Sequence, residues 1–594
     1  MKFSPKDMLI DLVLLFLVAG VALILSFTFT GSDASLGVLI LYFLEPTILL
    51  CNFIPLFLLT LFFYFALGRT SRSAAAVFLI VALMGVVQAS KLHYRYENFK
   101  FSDLLLAREG AKMMANQFSP LMPPYFIPAV LLMLAVVVFL SFLRRRRLPP
   151  VYGILGVVPV LLLMAASKPL LLSETTYASH RAPYFNEWVE VEDAKGHGMI
   201  YAFIYSARDV FIQPPNNYDE AAVEKIWKAY DDAPIPADQK INVVAVMLES
   251  FNDFSDFDLP FEQDPYESFH AIQKNSIHGK IVNNMFGGGT AYVERYFLNG
   301  CSYYARYYSP FNSYVHYFKS QGYTTLAMHP HDGAFYNRRN VNPKLGFDKF
   351  YYMENYFKDY DDGDGYFPDR KLYDHLLALN RKAAAPYFNF TVTMQNHGPY
   401  DPDGAESVYL PHNLFSSDAN YNQINNYLHG IKDSGDALKY LLERLDEDKS
   451  PTLLIVFGDH NPALGQETDG SYKDLGIDVG TDQLNGYLNR CRTPYIVWAN
   501  SALKASTGKD FVGEGPDLSP QYLMNYAFHY LGWTGPRYMQ IVNSELPEVT
   551  VVNDQLIRNR GKNLHPGKED FGTIHEFVRC LDYYNSKHFY YDEK

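Results

Sequence analysis

The chain has 594 residues, of which 64 are acidic and 51 basic, for a formal net charge of −13. That length exceeds one ordinary domain, and the acidity argues against nucleic acid as a partner, because phosphate-backbone binding needs clustered Lys and Arg. The four cysteines, Cys51, Cys301, Cys491 and Cys580, form no CxxC or zinc-ribbon spacing, so no disulfide scaffold is indicated and at most one bridge could join the last three.

The N-terminal third is a series of apolar runs: 8–30, 36–67, 74–90, 125–143 and 151–172. A hydrocarbon core of roughly 30 Å needs about 20 helical residues, so each run can span it. The second is longer than needed, and Pro46, Asn52 and Pro55 are expected to break it into an interfacial and a spanning piece. No small-residue cleavage site follows the first run, so a removable signal peptide is not expected. Lys2 and Lys6 precede the first span, Arg69 and Arg72 follow the second, and Arg144 to Arg147 separate the fourth from the fifth. Alternate loops are therefore basic and read as cytoplasmic, which puts everything after about residue 173 outside. The outward loop holds SDLLLAREGAKMM, which reads as a short amphipathic surface helix. Residues 173–238 form a connector with helical pieces, ending in a Pro- and Asp-rich boundary.

From 239 onward the pattern becomes α/β. Short β-branched runs (INVVAVML, YTTLAM, YFNFTVT, TLLIVF and TPYIVWA) alternate with helical patterns such as NSYVHYFKSQ, RKLYDHLLALNRK and NYLHGIKDSGDALKYLLERLDE. This alternation predicts a mostly parallel sheet covered by helices on both faces. Sites in such folds gather just beyond the carboxyl ends of the strands. There the sequence places Glu249, His329, His397 and the pair Asp459-His460, while Gly287-Gly288-Gly289 leads into Thr290 and a helix-like segment.

Each signal alone also has a plain structural reading: an acid after a strand caps helices, a glycine run makes turns, and loop histidines hydrogen-bond. Their joint placement points further. Glu249, Asp459, His460 and Thr290 can supply two carboxylates, an imidazole and a hydroxyl to one metal ion. Such an oxygen-rich set suits Mn²⁺ or Mg²⁺, and the imidazole also admits Zn²⁺. A metal-bound threonine hydroxyl loses its proton more easily and becomes a nucleophile. A helix starting at Thr290 would aim N–H groups at a phosphate. The chemistry expected is in-line displacement at phosphorus through a phospho-threonine.

Together, Glu249 in VMLESF, Thr290 in FGGGTAYVE, the block His329–Phe350, His397 in QNHGPY and Asp459-His460 in FGDHNPALG make the chain resemble the lipoteichoic acid synthase family of the alkaline phosphatase and sulfatase superfamily. The resemblance extends over nearly the whole chain. It implies an N-terminal bundle of about five transmembrane helices (1–172), the connector (173–238) and an extracytoplasmic sulfatase-like domain (239–594). It also implies metal ligands at Glu249, Thr290, Asp459 and His460, with Thr290 as nucleophile and Mn²⁺ as the usual metal. By similarity His329, Tyr336, Arg338 and His397 would hold phosphate and glycerol, a task for which the planar fork of an arginine suits. The chain departs from the family at Tyr336, where tryptophan is usual, and at His331, where an acid is expected. These departures bear on the transferred group and leave the metal set intact. The C/S-x-P-x-R motif of true sulfatases does not occur, Cys301 being followed by Ser-Tyr-Tyr-Ala-Arg.

The function the resemblance implies is transfer of glycerol phosphate from phosphatidylglycerol, at the outer face of the cell membrane, to a glycolipid, glycan or polyglycerolphosphate acceptor. The alternatives are a phosphoethanolamine transferase, a phosphodiesterase that transfers only to water, and a non-catalytic envelope-binding membrane protein.

Overall fold

The computed structural model describes residues 5–31, 36–104, 121–123, 125–144, 147–187, 189–210, 212–302, 307, 309–358, 366–465 and 469–591. The chain divides into two compact units. One comprises residues 1–213 with the short segment 334–337, and the other comprises 214–333 with 338–594.

The first unit is helical. It contains α1 (Pro5–Thr28), α2 (Leu36–Phe43), α3 (Pro46–Leu67), α4 (Thr70–Arg95), α5 (Phe126–Leu143) and α6 (Pro150–Leu171). Five of these, all except α2, are long and apolar enough to cross a membrane. The second apolar run does break, at Leu44-Glu45 before Pro46, but Asn52 and Pro55 lie inside α3, which corrects the expectation that they interrupt it. Asn52 has a different task. Its amide nitrogen donates to the carbonyls of Ile48 and His197, both at 2.8 Å, and its oxygen accepts from the Tyr201 N–H at 3.0 Å. A buried polar side chain in a spanning helix thus ties down the chain that leaves the bundle. At the opposite end of the bundle, Arg144 Nε donates to Asp11 Oδ1 at 2.6 Å and Tyr64 donates to Asp11 Oδ2 at 2.7 Å. The expected amphipathic surface helix falls mostly on 105–120, outside the described residues.

The second unit is built on an eight-stranded sheet: β1 (Asn242–Leu248), β2 (Ile277–Val282), β3 (Thr324–His329), β4 (Lys349–Tyr352), β5 (Tyr387–Val392), β6 (Thr452–Gly458), β7 (Arg492–Ala499) and β8 (Gly513–Glu514). The spatial order is β4-β3-β5-β1-β6-β7-β2-β8. Pairing is parallel from β4 through to β6 and between β2 and β8, and antiparallel where β7 meets β6 and β2. The continuous apolar run of β1 follows from its central position, which buries both faces. Val243, Ala245 and Met247 enter one core, packed by the helices Thr290–Asn299 and Pro520–Leu531. Val244, Val246 and Leu248 enter the other, packed by Asp369–Lys382 and Asp418–Asp446. A three-stranded antiparallel sheet and the helix Glu569–Lys587 complete the unit. The four cysteines are buried thiols outside any disulfide.

Candidate active site

Strand register creates the site. β1 and β6 run parallel with Leu248 opposite Gly458, so the next residue of each strand, Glu249 and Asp459, emerges side by side at neighbouring carboxyl ends. Only glycine fits at 458, since a Cβ there would come within 2.1 Å of the Phe251 carbonyl. The chain turns sharply after Glu249: Ser250 has a left-handed backbone (φ 50°), a strained setting of the kind functional sites retain. In that turn the Ser250 N–H donates to Asp459 Oδ1 (2.8 Å) and its hydroxyl donates to Glu249 Oε1 (2.9 Å).

The glycine loop delivers the hydroxyl. Gly287 donates its N–H to the Asn461 carbonyl (2.8 Å), which pins the loop to the turn that carries Asp459 and His460. Gly287 and Gly289 have φ of 65° and 93°, a region that favours glycine. Gly289 is the N-cap of the helix Thr290–Asn299, so no side chain caps its first turn. The Tyr292 N–H donates to the Gly289 carbonyl at 2.9 Å, and those of Thr290 and Ala291 remain for an anion.

Thr290, Glu249, Asp459 and His460 come together, and all four are buried. Thr290 Oγ1 lies 3.3 Å from His460 Nε2 and 3.5 Å from Glu249 Oε2. His460 Nε2 lies 3.3 Å from Asp459 Oδ2 and 3.7 Å from Glu249 Oε1. Each of Glu249, Asp459 and His460 offers a ligand atom within 4.8 Å of the others.

The donor set fits a cation. His460 Nδ1 is 3.0 Å from the Asn461 carbonyl; a carbonyl only accepts, so Nδ1 carries the hydrogen and Nε2 presents its lone pair. That lone pair faces two carboxylates, and among the described residues no hydrogen bond reaches the buried Asp459 Oδ2. Converging buried acceptors are costly unless a cation meets them. Burial, then the neighbouring Glu249 carboxylate, push the Asp459 carboxyl up to about 6, the effect expected where negative charge is crowded away from water.

The remaining predicted residues divide. His329, at the end of β3, is buried, with Nδ1 3.2 Å from the Val392 carbonyl. Burial and the Arg338 charge hold it well below its ordinary range. His397, half-buried in the loop after β5, has Nδ1 2.5 Å from the Gly398 carbonyl and meets the Tyr366 ring edge-on. Arg338 is buried and held through Nε by Glu294 Oε2 at 2.8 Å. Tyr336 falls in the segment 334–337 of the first unit, where Phe335 bridges to Val189 and the Asn337 amide donates to Glu190 at 2.5 Å. His331 is half-buried; burial and then Arg338 push it down to about 4, so it stands neutral where an acid was expected.

Sequence reasoning missed Ser250, Asn461 and Glu294. Glu294 carried a readable signal, since it lies four residues after Thr290 and hence on the same helix face.

Residues 241–532 match the Sulfatase family model. The "Putative cyclic beta-1,2-glucan modification protein" of Rhizobium meliloti is 27% identical over 399 residues, 64% of this chain and 59% of that protein. Lipoteichoic acid synthase 2 of Bacillus subtilis is 23% identical over 217 residues, 36% of this chain and 31% of that one. The chain thus spans less than two thirds of the length of either relative. The solved structure of the Streptococcus pyogenes phosphoglycerol transferase GacH with sn-glycerol-1-phosphate is 20% identical, covers 62% of this chain and 94% of its own, and superposes with a TM-score of 0.49. Residues 241–532 thus carry a sulfatase domain, set after an apolar helical bundle, and the chain is similar to the lipoteichoic acid synthases.

Proposed function

We propose that the chain is a phosphoglycerol transferase that takes glycerol phosphate from phosphatidylglycerol and passes it to a cell-envelope glycan or polymer. The observation that carries this reading is the convergence of the Thr290 hydroxyl with Glu249, Asp459 and His460 at the start of a helix whose first turn is uncapped. On this reading residues 1–172 anchor the protein in the cell membrane, 173–238 connect, and 239–594 work outside it. The charge pattern of the loops supports that orientation, and a donor that is itself a lipid explains why the transferase is membrane-bound.

Glu249, Thr290, Asp459 and His460 would hold one divalent cation, Mn²⁺ on the family resemblance with Mg²⁺ or Zn²⁺ as alternatives, which when bound supplies Lewis-acid polarisation and makes the threonine hydroxyl more acidic. Thr290 Oγ1 gives up its proton and attacks the donor phosphorus. The Oγ1–P bond forms as the bond from phosphorus to the diacylglycerol oxygen breaks, and diacylglycerol leaves with a proton. An acceptor hydroxyl then attacks the same phosphorus, Thr290 recovers its proton, and glycerol phosphate stays on the acceptor. N–H groups at the start of the Thr290 helix and the Arg338 guanidinium meet the phosphate oxygens. His329, held neutral and with Nδ1 committed to Val392, offers Nε2 to the substrate, and His397 adds a proposed contact to phosphate and glycerol, a role given to Tyr336 by the family resemblance alone. The glucan-modification relative supports a glycan as acceptor.

Purified full-length protein given fluorescent phosphatidylglycerol should release diacylglycerol only with divalent cation, and not in Thr290→Ala. Consumption of phosphatidylethanolamine instead would establish the phosphoethanolamine alternative. Free glycerol phosphate without acceptor product would mark a phosphodiesterase, and no turnover of either lipid would leave the binding-protein reading.

A further inference from the structure

We propose that a groove at the Arg144 end of the membrane bundle binds an anionic phospholipid of the cytoplasmic leaflet. This site is separate from the catalytic cluster and does not rest on the proposed transfer reaction. Its frame is built from three helix ends. α3 stops at Leu67, where Gly68 turns the chain with a φ of 67°, and α4 begins at Thr70. The loop before α6 is tied to that turn by the Leu148 N–H, which donates to the Gly68 carbonyl at 2.9 Å. Gly153 lets α6 lie directly on α3, since a Cβ there would sit 2.7 Å from the Phe65 carbonyl. These contacts leave a cavity of about 550 Å³ lined by Phe65, Leu67, Ile154, Val158, Arg72 and Arg147, among others. That volume falls within the range of small-molecule sites.

Charge selects the occupant. Four described arginines, Arg69, Arg72, Arg144 and Arg147, lie at or beside this turn, and they are not equivalent. Arg144 is engaged by Asp11 and Asp7. Arg72 and Arg147, both in the groove lining, are exposed and make no ion pair or hydrogen bond among the described residues. Two cationic side chains without counter-charges, beside apolar walls, match a phosphodiester headgroup with its acyl chains attached. The walls continue onto surface that faces hydrocarbon in a bilayer: Ile154 is 73% and Val158 57% exposed. A neutral zwitterionic lipid would bring its own cation to the two arginines and gain less. Basic pockets between spanning helices on the cytoplasmic side hold anionic headgroups in this way.

The test uses the full chain in phosphatidylcholine nanodiscs containing a photoactivatable phosphatidylglycerol or, separately, a photoactivatable phosphatidylcholine, with cross-linked peptides mapped by mass spectrometry. The phosphatidylglycerol probe should label residues 147–158 in preference to the other probe. Arg72→Gln with Arg147→Gln should lower that labelling by about thirtyfold, the loss expected for two juxtamembrane cations. Val158→Trp, which fills the groove from its lipid-facing side, should block it with both arginines present. Equal labelling by the two probes, or undiminished phosphatidylglycerol labelling in the double variant, would overturn the proposal. An unchanged elution profile and thermal midpoint will show that each variant is folded.

Discussion

Glu294 Oε2 accepts a 2.8 Å hydrogen bond from Arg338 Nε while its other oxygen accepts from Arg295 Nη1, and all three side chains are buried. The helix that presents Thr290 therefore also fixes Arg338, so the nucleophile and the proposed phosphate-gripping guanidinium move as one body. Removing the carboxylate takes a buried counter-charge from two buried cations. Glu294→Ala should cost about 3–5 kcal/mol of stability, read from denaturant unfolding of the solubilised protein. Glu294→Gln keeps the shape but loosens Arg338, and should raise KM for the lipid donor without changing metal affinity. Wild-type kinetics in a folded Glu294→Gln protein would show that Arg338 needs no such support.

The Ser250 hydroxyl orients Glu249 Oε1. Second-sphere partners of this kind typically set metal affinity by about ten- to a hundredfold. Ser250→Ala should weaken Mn²⁺ binding, measured by calorimetry, by at least about tenfold, and added Mn²⁺ should restore activity. Chelation of the wild type should abolish turnover reversibly.

Asp369 is fully buried at the start of its helix, with Ser434 donating to Oδ2 at 2.7 Å. Burial pushes its carboxyl up to about 7, from 3.8. The folded state therefore holds a proton that the unfolded chain releases. This group's contribution to stability is complete below about pH 4 and is lost as pH rises through about 7. Asp369→Asn should remove that slope, so the thermal midpoint of the variant relative to wild type should be higher at pH 8.5 than at pH 5.5. A difference independent of pH would show that Asp369 is ionised throughout.

Beyond its own helix, Asn52 satisfies one backbone acceptor and one donor, the His197 carbonyl and the Tyr201 N–H. Asn52→Leu strands both in a buried setting, at about 1–3 kcal/mol each. Limited proteolysis should then cut between residues 195 and 205 faster than in wild type, while catalytic turnover per folded molecule should be little changed.

The residues that gave the fold away in the sequence are those whose environment is simplest. β1, β3, β5, β6 and β7 lie in the buried sheet and read as short apolar runs within about a residue of their observed ends. β2 was missed because its segment, IHGKIV, is only partly buried and carries His278, Gly279 and Lys280 on antiparallel edge-side positions. Proline rules predicted the break at Pro46 but also one at Pro55, where packing within the bundle kept the helix intact. The four clustered residues were legible because strand ends and a glycine turn announce themselves locally. Glu294 and Ser250 act through side-chain partners distant in sequence, Arg338 and Asp459, and only the register of β1 on β6 and the packing of one helix reveal them.

The most direct measurement is mass spectrometry of the tryptic peptide containing Thr290 after the protein is quenched during turnover of phosphatidylglycerol with Mn²⁺ and no acceptor. A phosphoglycerol adduct on Thr290, absent without metal and lost when a glycan acceptor is added, is the predicted result. Diacylglycerol release at the wild-type rate with Thr290 unmodified, or from Thr290→Ala, would contradict it.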